Sequence, residues 1–326
     1  MKIVEMVKES LKKYTEFTGD WIIAYSGGVD SRVMLDILAG LKPSEKKLIL
    51  IHVNHGLNPL ASQWEAKARE VAKQYNAEIK VAHLNMNDTS GVEEKARDLR
   101  YAFINENTHA DDIIFMGHHK NDNAETLLFR LFRGTGLKGL MGIPESRLMG
   151  KATLVRPMLQ VLRSQIKDYA DKKALSWVED DSNADSKYSR NFIRNDVIPL
   201  LETRWKSVVS TITSLTEKAA EAETLLNEIA EEDMAMIKFE DKNGVVYNDV
   251  IDMEKLKMLS EARMKNVLHR FVSTIDDENK GTKSFNNLLN VVLSENKNCS
   301  RLRKVEFKNG LLITNGKKLW IENNKA

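Results

Sequence analysis

The chain of 326 residues holds a single cysteine, Cys299. One thiol closes no intrachain disulfide and forms no CxxC pair, which excludes a disulfide-stapled extracellular scaffold and a dithiol redox enzyme. No apolar run approaches the roughly 18 residues of a membrane span. The start, Met1-Lys2-Ile3-Val4-Glu5, lacks the apolar core of a signal peptide. A reducing cytoplasm is the expected location. Net charge is also scarce, +2 at pH 7, so the total argues neither for nor against a polyanionic partner. Internal repeats and low-complexity segments are absent. What is present is ordinary globular composition, 42% hydrophobic and 29% charged, which excludes a disordered chain. Single cores seldom grow past about 250–300 residues, so two domains are expected.

Charge is unevenly distributed. Residues 126–173 hold ten Lys or Arg against three Asp or Glu, residues 217–241 hold two against nine, and residues 296–326 hold eight against two. Two basic zones around an acidic one suit a shaped polyanion surface, and solvated helix faces explain any one zone equally well.

Short apolar runs at residues 21–25, 48–53, 78–84 and 113–116 read as buried strands, and residues 32–41, 62–75 and 92–107 carry helical spacing. This alternation predicts a doubly wound parallel sheet, an α/β fold whose ligands bind at the carboxyl ends of the strands. Residues 200–233 lack Gly and Pro and predict one or two connecting helices. Beyond them, a strand at 244–247, helices at 253–272 and 284–294, and strands over 304–321 with Asn-Gly turns at 309–310 and 315–316 predict a small mixed α/β domain.

Ser26-Gly27-Gly28-Val29-Asp30-Ser31 follows the first strand and opens a helix. Its glycines let the backbone approach an anion, and its hydroxyls and the helix N-terminus supply donors and positive potential. It lacks the Gly-Lys-Ser/Thr ending of a Walker loop. The plain alternative is a tight turn with Ser and Asp as caps. Asp30 beside phosphates makes electrostatic sense only with a cation. The second strand ends in His52-Val53-Asn54-His55-Gly56-Leu57 and the fourth in Gly117-His118-His119. The two adjacent histidines have no cysteine and no third histidine at metal spacing, so phosphate contacts suit them better than zinc.

In the next helix Asp122 and Glu125 are three apart and share a face, which suits an ammonium ligand, general-base work or dipole compensation. Arg97 and Arg100 are also one turn apart; a guanidinium there suits charge on an α-phosphate or a surface pair with Glu93, Glu94 or Asp98. Gly134-Thr135-Gly136-Leu137-Lys138-Gly139 matches G-x-G-x-x-G formally but follows a helix, not a strand. With Arg130, Arg133, Lys138, Arg147 and Lys151 nearby, it suits a cationic loop beside RNA phosphates, or an exposed glycine turn. Arg190, Asn191, Arg194 and Asn195 suit anions, or a helix face packed on acidic neighbours.

The 26–31 loop resembles the pyrophosphate-binding loop of the N-type ATP pyrophosphatases. The further motifs, with Arg97-Asp98-Leu99-Arg100-Tyr101, Arg156-Pro157, Asp180-Asp181-Ser182-Asn183 and residues 189–195, resemble in order and spacing the bacterial tRNA(Ile)-lysidine synthetases over about residues 22–201. The resemblance implies an adenine nucleotide alpha hydrolase-like fold, with a catalytic domain at 1–205, a helical linker at 206–235 and a tRNA-binding domain at 236–326. It implies a ligase that converts ATP to AMP and pyrophosphate and joins L-lysine to C2 of the wobble cytidine of tRNA(Ile) with CAU anticodon.

ATP and Mg2+ are the implied cofactors. Ser26, Gly27, Gly28, Val29, Asp30, Ser31, His52, Asn54, His55, Gly117 and His118 would hold the nucleotide, Asp30 the metal, and Asp30 with Arg97 the catalysis. Asp122, Glu125 and Arg190 would hold lysine, and Arg130, Arg133, Lys138, Arg147 and Arg194 the tRNA. A homodimer is compatible with the resemblance and no membrane is involved. This chain departs from the family at Asn121 and Asn123, where an acidic residue and Gln are usual, and at Asn58, often Arg. Its length implies a form without a second C-terminal domain.

Within the same superfamily, tRNA thiolation needs a persulfide cysteine or an iron–sulfur cluster, and the one thiol is far along the chain from the loop. An ammonia-using synthetase gives the basic tail no role, and a nucleotide-binding stress protein needs no acidic pair.

Overall fold

A computed structural model of the chain describes residues 2–54, 56, 58–83, 92–179, 185–273, 285, 289–290, 302–307 and 309–323, with backbone alone for 92–97. The chain divides into two compact units, Met1–Ala219 and Ala220–Ala326.

In the first unit, β1 (Trp21–Ala24), β2 (Leu48–Asn54), β3 (Glu78–His83), β4 (Ile113–Phe115), β5 (Ser146–Met149) and β6 (Ala152–Val155) form one sheet in the order β3-β2-β1-β4-β6-β5. All neighbours are parallel except β5, which returns antiparallel along β6. Alternate strand residues feed opposite faces. Trp21, Ile23, Leu48, Leu50, Ile113 and Phe115 pack beneath α1 (Lys2–Leu11), α2 (Val29–Leu41), α3 (Ala61–Gln74) and α7 (Arg163–Lys172). Ile22, Ile49, Ile51 and Ile114 pack on the other face with Ile104 of α4 (Val92–Glu106). A parallel sheet covered on both sides needs such unbroken apolar strands.

The chain leaves β1 for β2 on one side and reaches β4 on the other, so β1 borders a topological switch point, where open α/β sheets bind ligands. From β4 the chain enters α5 (Lys120–Phe132) and the short α6 (Leu137–Leu140). After α7 come α8 (Ser189–Phe192), a π turn at Ile193–Val197, α9 (Ile198–Arg204) and the long α10 (Val208–Met236). Ala124, Leu128, Ile193, Ile198 and Val209 make a separate core cluster there.

The unit boundary falls inside α10, the helix that the sequence reading set apart as a linker. In the second unit β7 (Lys238–Glu240), β8 (Val246–Asp252), β9 (Arg303–Phe307), β10 (Gly310–Thr314) and β11 (Lys318–Asn323) form an antiparallel sheet in the order β7-β8-β11-β10-β9. Its core is shared with α11 (Met253–Met258) and α12 (Glu261–Val272). The single helix predicted over 253–272 is therefore two. Leu259 is extended, and the Ser260 hydroxyl accepts the Arg263 N–H to start α12 afresh. The helix predicted at 284–294 falls mostly outside the described residues. Among the described residues no helix is long and apolar enough to cross a membrane.

Candidate active site

The 26–31 loop joins β1 to α2 at the switch point. Gly27 has φ +88°, a left-handed conformation that costs a residue with a side chain about 1–2 kcal/mol. Its carbonyl accepts the Val178 N–H at 2.9 Å. The two serines hold the loop's shape: Ser31 Oγ accepts the Gly27 N–H at 3.2 Å, donates to the Gly28 carbonyl at 3.0 Å, and shares a 3.1 Å hydrogen bond with Ser26 Oγ. Gly28 is the N-cap of α2 and has no side chain with which to cap it, so the helix start is left for an anion. Gly117 at the end of β4 has a packing reason. A Cβ there would stand 3.3 Å from the Asp30 carbonyl carbon and the Ser31 nitrogen, so a side chain would press the loop back by a few tenths of an ångström.

Asp30 carries the site's unanswered charge. Its Oδ1 is buried without a hydrogen-bond partner, and His119 Nε2 stands 3.6 Å from it. Burial pushes the Asp30 carboxyl above its usual range, His119 opposes that, and the charge of Asp122 adds to it. A buried carboxylate oxygen lacking a donor, beside an anion-seeking helix start, fits a divalent cation that also binds phosphate oxygens. Mg2+ commonly takes only one or two protein carboxylates in such sites. Among the described residues no group of three or more His, Cys, Asp or Glu stands at metal-binding geometry.

The N-terminus of α5 is closed, in contrast with that of α2. His119 Nδ1 accepts the Asp122 N–H at 3.3 Å, and Asp122 Oδ2 accepts the His119 N–H at 2.9 Å, a reciprocal capping box. The other Asp122 oxygen and both Glu125 oxygens receive arginine. Arg194 donates to Glu125 Oε1 and Oε2 at 2.8 Å each and to Asp122 Oδ1 at 3.0 Å. Arg190 reaches Glu125 Oε2 and Asp122 Oδ1 at 3.3 Å each. Glu125 is 1% exposed. Burial opposes ionisation of Asp122, yet His119 and Arg190 hold its carboxyl below the usual range. The acidic pair thus serves as cap and as cation site together. Arg194, expected at the RNA, is 20% exposed, and its guanidinium is taken up by these two carboxylates rather than offered to a phosphate.

His118 is held by Arg156, whose Nε donates to His118 Nδ1 at 3.2 Å while Nη1 donates to the Pro144 carbonyl at 2.6 Å. Burial and then Arg156 overcome the pull of Asp122 and push the His118 ring down to about 4. Nδ1 of each histidine accepts, which leaves Nε2 as the N–H of each ring. His52 is buried, its ring pushed below its ordinary value by burial, with Nδ1 3.0 Å from the Tyr25 carbonyl oxygen. Asn54 is bound locally, accepting the Gly56 N–H and donating to Glu65, whose carboxyl Arg69, Asn54 and His83 bring down to about 2 against the effect of burial. His55, the Arg97 side chain, residues 180–183 and Cys299 lie outside the described residues.

Of the expected RNA contacts, Arg133, Lys138 and Arg147 are exposed, with Arg133 over the Phe129 ring and Arg147 over Tyr101. Arg130 turns inward and donates to the Gly139 and Gly142 carbonyls, so it pins the glycine loop. Asn121 and Asn123 also have structural work. Asn121 Oδ1 accepts the first N–H of α7, from Arg163, and Asn123 Oδ1 accepts the Ile143 N–H at 2.7 Å. Sequence reasoning weighed His119 for phosphate contacts and not as the cap of α5, and it did not single out Arg156 or Val178 for the site. Arg156 and His119 lay inside motifs already noticed, whereas nothing local marks Val178.

An uncapped helix start after a glycine loop and an orphaned carboxylate, both at a topological switch point, suit a protein that binds nucleotide phosphates. The family model described as a PP-loop domain matches residues 2–201. Relatives named tRNA(Ile)-lysidine synthase include that of Pseudomonas putida, 38% identical over 255 residues, 78% of this chain and 60% of the relative. That of Coxiella burnetii is 34% identical over 87% of this chain and 62% of its own, and that of Histophilus somni 30% identical over 89% and 71%. The chain belongs to the PP-loop domain family and, within it, to the tRNA(Ile)-lysidine synthases. It spans about three fifths of the length of the first of these relatives. Among solved structures, a U34-tRNA thiolase from Methanococcus maripaludis shares the fold, with a TM-score of 0.56 and 19% identity over 68% of this chain and 78% of that one.

Proposed function

We propose that the chain ligates L-lysine to C2 of the wobble cytidine of tRNA(Ile) with CAU anticodon, so that the anticodon reads AUA instead of AUG and the tRNA identity passes from Met to Ile. The start of α2 and the 26–31 loop receive the ATP phosphates. Asp30 holds Mg2+, which when bound neutralises phosphate charge. The cytidine O2 attacks the α-phosphate and pyrophosphate leaves. The ε-amine of lysine then displaces AMP at C2, giving lysidine.

His118 and His119 present N–H groups at the strand ends, and Arg97 stabilises charge on the α-phosphate. Asp122 and Glu125 hold the lysine ammonium. Arg133, Lys138 and Arg147 lie along the tRNA path, and residues 236–326 form a tRNA-binding domain. The enzyme works in the cytoplasm, and a homodimer is compatible with this reading.

The observation that carries the reading is the buried acid pair on α5, joined through His119 to Asp30 of the nucleotide loop. An acid pair beside the nucleotide suits an amine that attacks an adenylated base.

The two half-reactions separate in one assay that follows pyrophosphate release and labelled-lysine incorporation in parallel. Asp30→Asn is expected to abolish both in a folded protein. Asp122→Asn and Glu125→Gln are expected to raise the lysine requirement strongly while tRNA-dependent pyrophosphate release is at least partly retained. Equal loss of both signals in the acid variants, with no change in lysine dependence, would return the pair to helix capping.

A further inference from the structure

Four hydrogen bonds converge on the Glu65 carboxylate, in the second turn of α3. Arg69 donates to Oε1 through Nε at 3.1 Å and Nη2 at 2.8 Å, while His83 Nε2 and Asn54 Nδ2 stand 2.7 Å and 3.2 Å from Oε2. A carboxylate only accepts, so His83 Nε2 is the donor of its pair. Asn54 and His83 are register partners and the last residues of β2 and β3. Glu65, with a side chain 15% exposed, therefore ties two strand ends to α3.

Asn54 passes that hold onward. Its Oδ1 accepts the Gly56 N–H at 3.0 Å, and Gly56 has φ +66°, a left-handed conformation that glycine adopts without strain. A flipped Asn54 amide would set oxygen against the Glu65 carboxylate and nitrogen against the Gly56 N–H, so the carboxylate decides which way the amide faces.

The turn stands where half of a nucleotide must lie. β1 and β2 are parallel neighbours, with Ala24 beside Ile51, so the chain beyond β2 runs out next to the 26–31 loop that follows β1. Across β1, β4 leads to His119 and the carboxylates of α5. A nucleotide with its phosphates at the start of α2 has the β2 side left for its nucleoside.

We propose that Glu65 is a positioning residue for ATP: it fixes the Asn54 amide, which shapes the turn after β2 against which the nucleoside rests. Arg69 and His83 hold the carboxylate in place, and Asn54 acts through the turn and not as a ligand. This inference rests on the nucleotide reading of the 26–31 loop.

The test is equilibrium binding of ATP, with the ATP KM, lysine KM and kcat of tRNA-dependent lysine incorporation measured alongside. It compares the full chain with Glu65→Gln, Glu65→Ala, Asn54→Ala and the double variant Asn54→Ala/Glu65→Gln. A glutamine has one acceptor oxygen where the carboxylate has two, so it keeps Arg69 or Asn54 but not both. Each single variant is expected to raise the ATP Kd and KM by about three- to tenfold, with the lysine KM unchanged and kcat within about twofold. The double variant is expected to bind ATP no more weakly than Asn54→Ala, because Glu65 acts through Asn54. Thermal unfolding checks that each variant is folded, and either Glu65 substitution suffices if the other fails to fold.

An unchanged ATP Kd in the Glu65 variants, or losses that add in the double variant, would overturn the positioning role. So would a lysine KM that rises in step with the ATP KM, the sign of general loosening. A full chain that bound no ATP would overturn the nucleotide reading instead.

Discussion

Opposed forces meet at His118. Burial and Arg156 disfavour its imidazolium, Asp122 favours it, and the ring ends at about 4, well below the ~6.5 of an unfolded histidine. The unfolded chain therefore takes up the proton first. The contribution of His118 to stability is complete above about pH 6.5 and is lost as pH falls from there toward 4. Arg156→Gln removes a positive charge and the strongest donor to Nδ1, and is expected to raise the midpoint of the ring. Titration of the His118 ring by NMR checks this, and an unchanged midpoint would leave the depression to burial with Arg190 and His119. Much of this scale was legible. The 26–31 loop, Asp122 and Glu125 are contiguous or one helical turn apart, so spacing alone groups them. That the same carboxylates receive Arg190 and Arg194 was not legible in spacing, because those partners lie 65 to 72 residues away along the chain. The reading allowed acidic neighbours for them and had no means of naming which.

Among the elements, α5 does more than present two acids. Asn123, 5% exposed, uses its carbonyl to accept the Ile143 N–H at 2.7 Å and its amide to reach Thr216 Oγ1 at 3.4 Å. Gly142, at φ +68°, approaches so closely that a Cβ there would stand 2.1 Å from Asn123 Oδ1. Asn123→Ala is expected to leave the Ile143 N–H unpaired and to destabilise the chain by about 1–3 kcal/mol, measured by denaturant unfolding, and to loosen the segment that Arg130 also pins. Asn123 thus has a local structural use. The strands and helices of the first half were legible because their apolar periods are long and clean. The β5–β6 hairpin escaped notice because Arg147 and Leu148 are exposed on a four-residue strand, which gives no alternation to read. The break in the 253–272 helix turns on one hydroxyl, Ser260, inside an otherwise continuous helical pattern.

For the molecule as a whole, the basic stretch at 126–173 is the feature that bears on RNA. Arg133, Lys138 and Arg147 are exposed there, and each phosphate they neutralise would release counterions. Affinity for tRNA is expected to fall as salt rises, and charge reversals at Lys138 and Arg147 are expected to weaken binding and flatten that dependence by about one unit of slope per lost contact. An unchanged slope in a filter-binding or anisotropy titration would move the RNA path elsewhere. Two helix starts, α2 and α5, face the same strand ends. One is bare at Gly28, and the other is stoppered by His119 and overlaid with carboxylate. On the proposed function these strand ends form a small battery with its poles fixed by the fold, a bare helix start at the β1 terminal to take phosphate and a pair of carboxylates at the β4 terminal to take an amine. On that reading a nucleotide bound the wrong way round would meet the field reversed, so the same polarity that attracts the reactants would also order them.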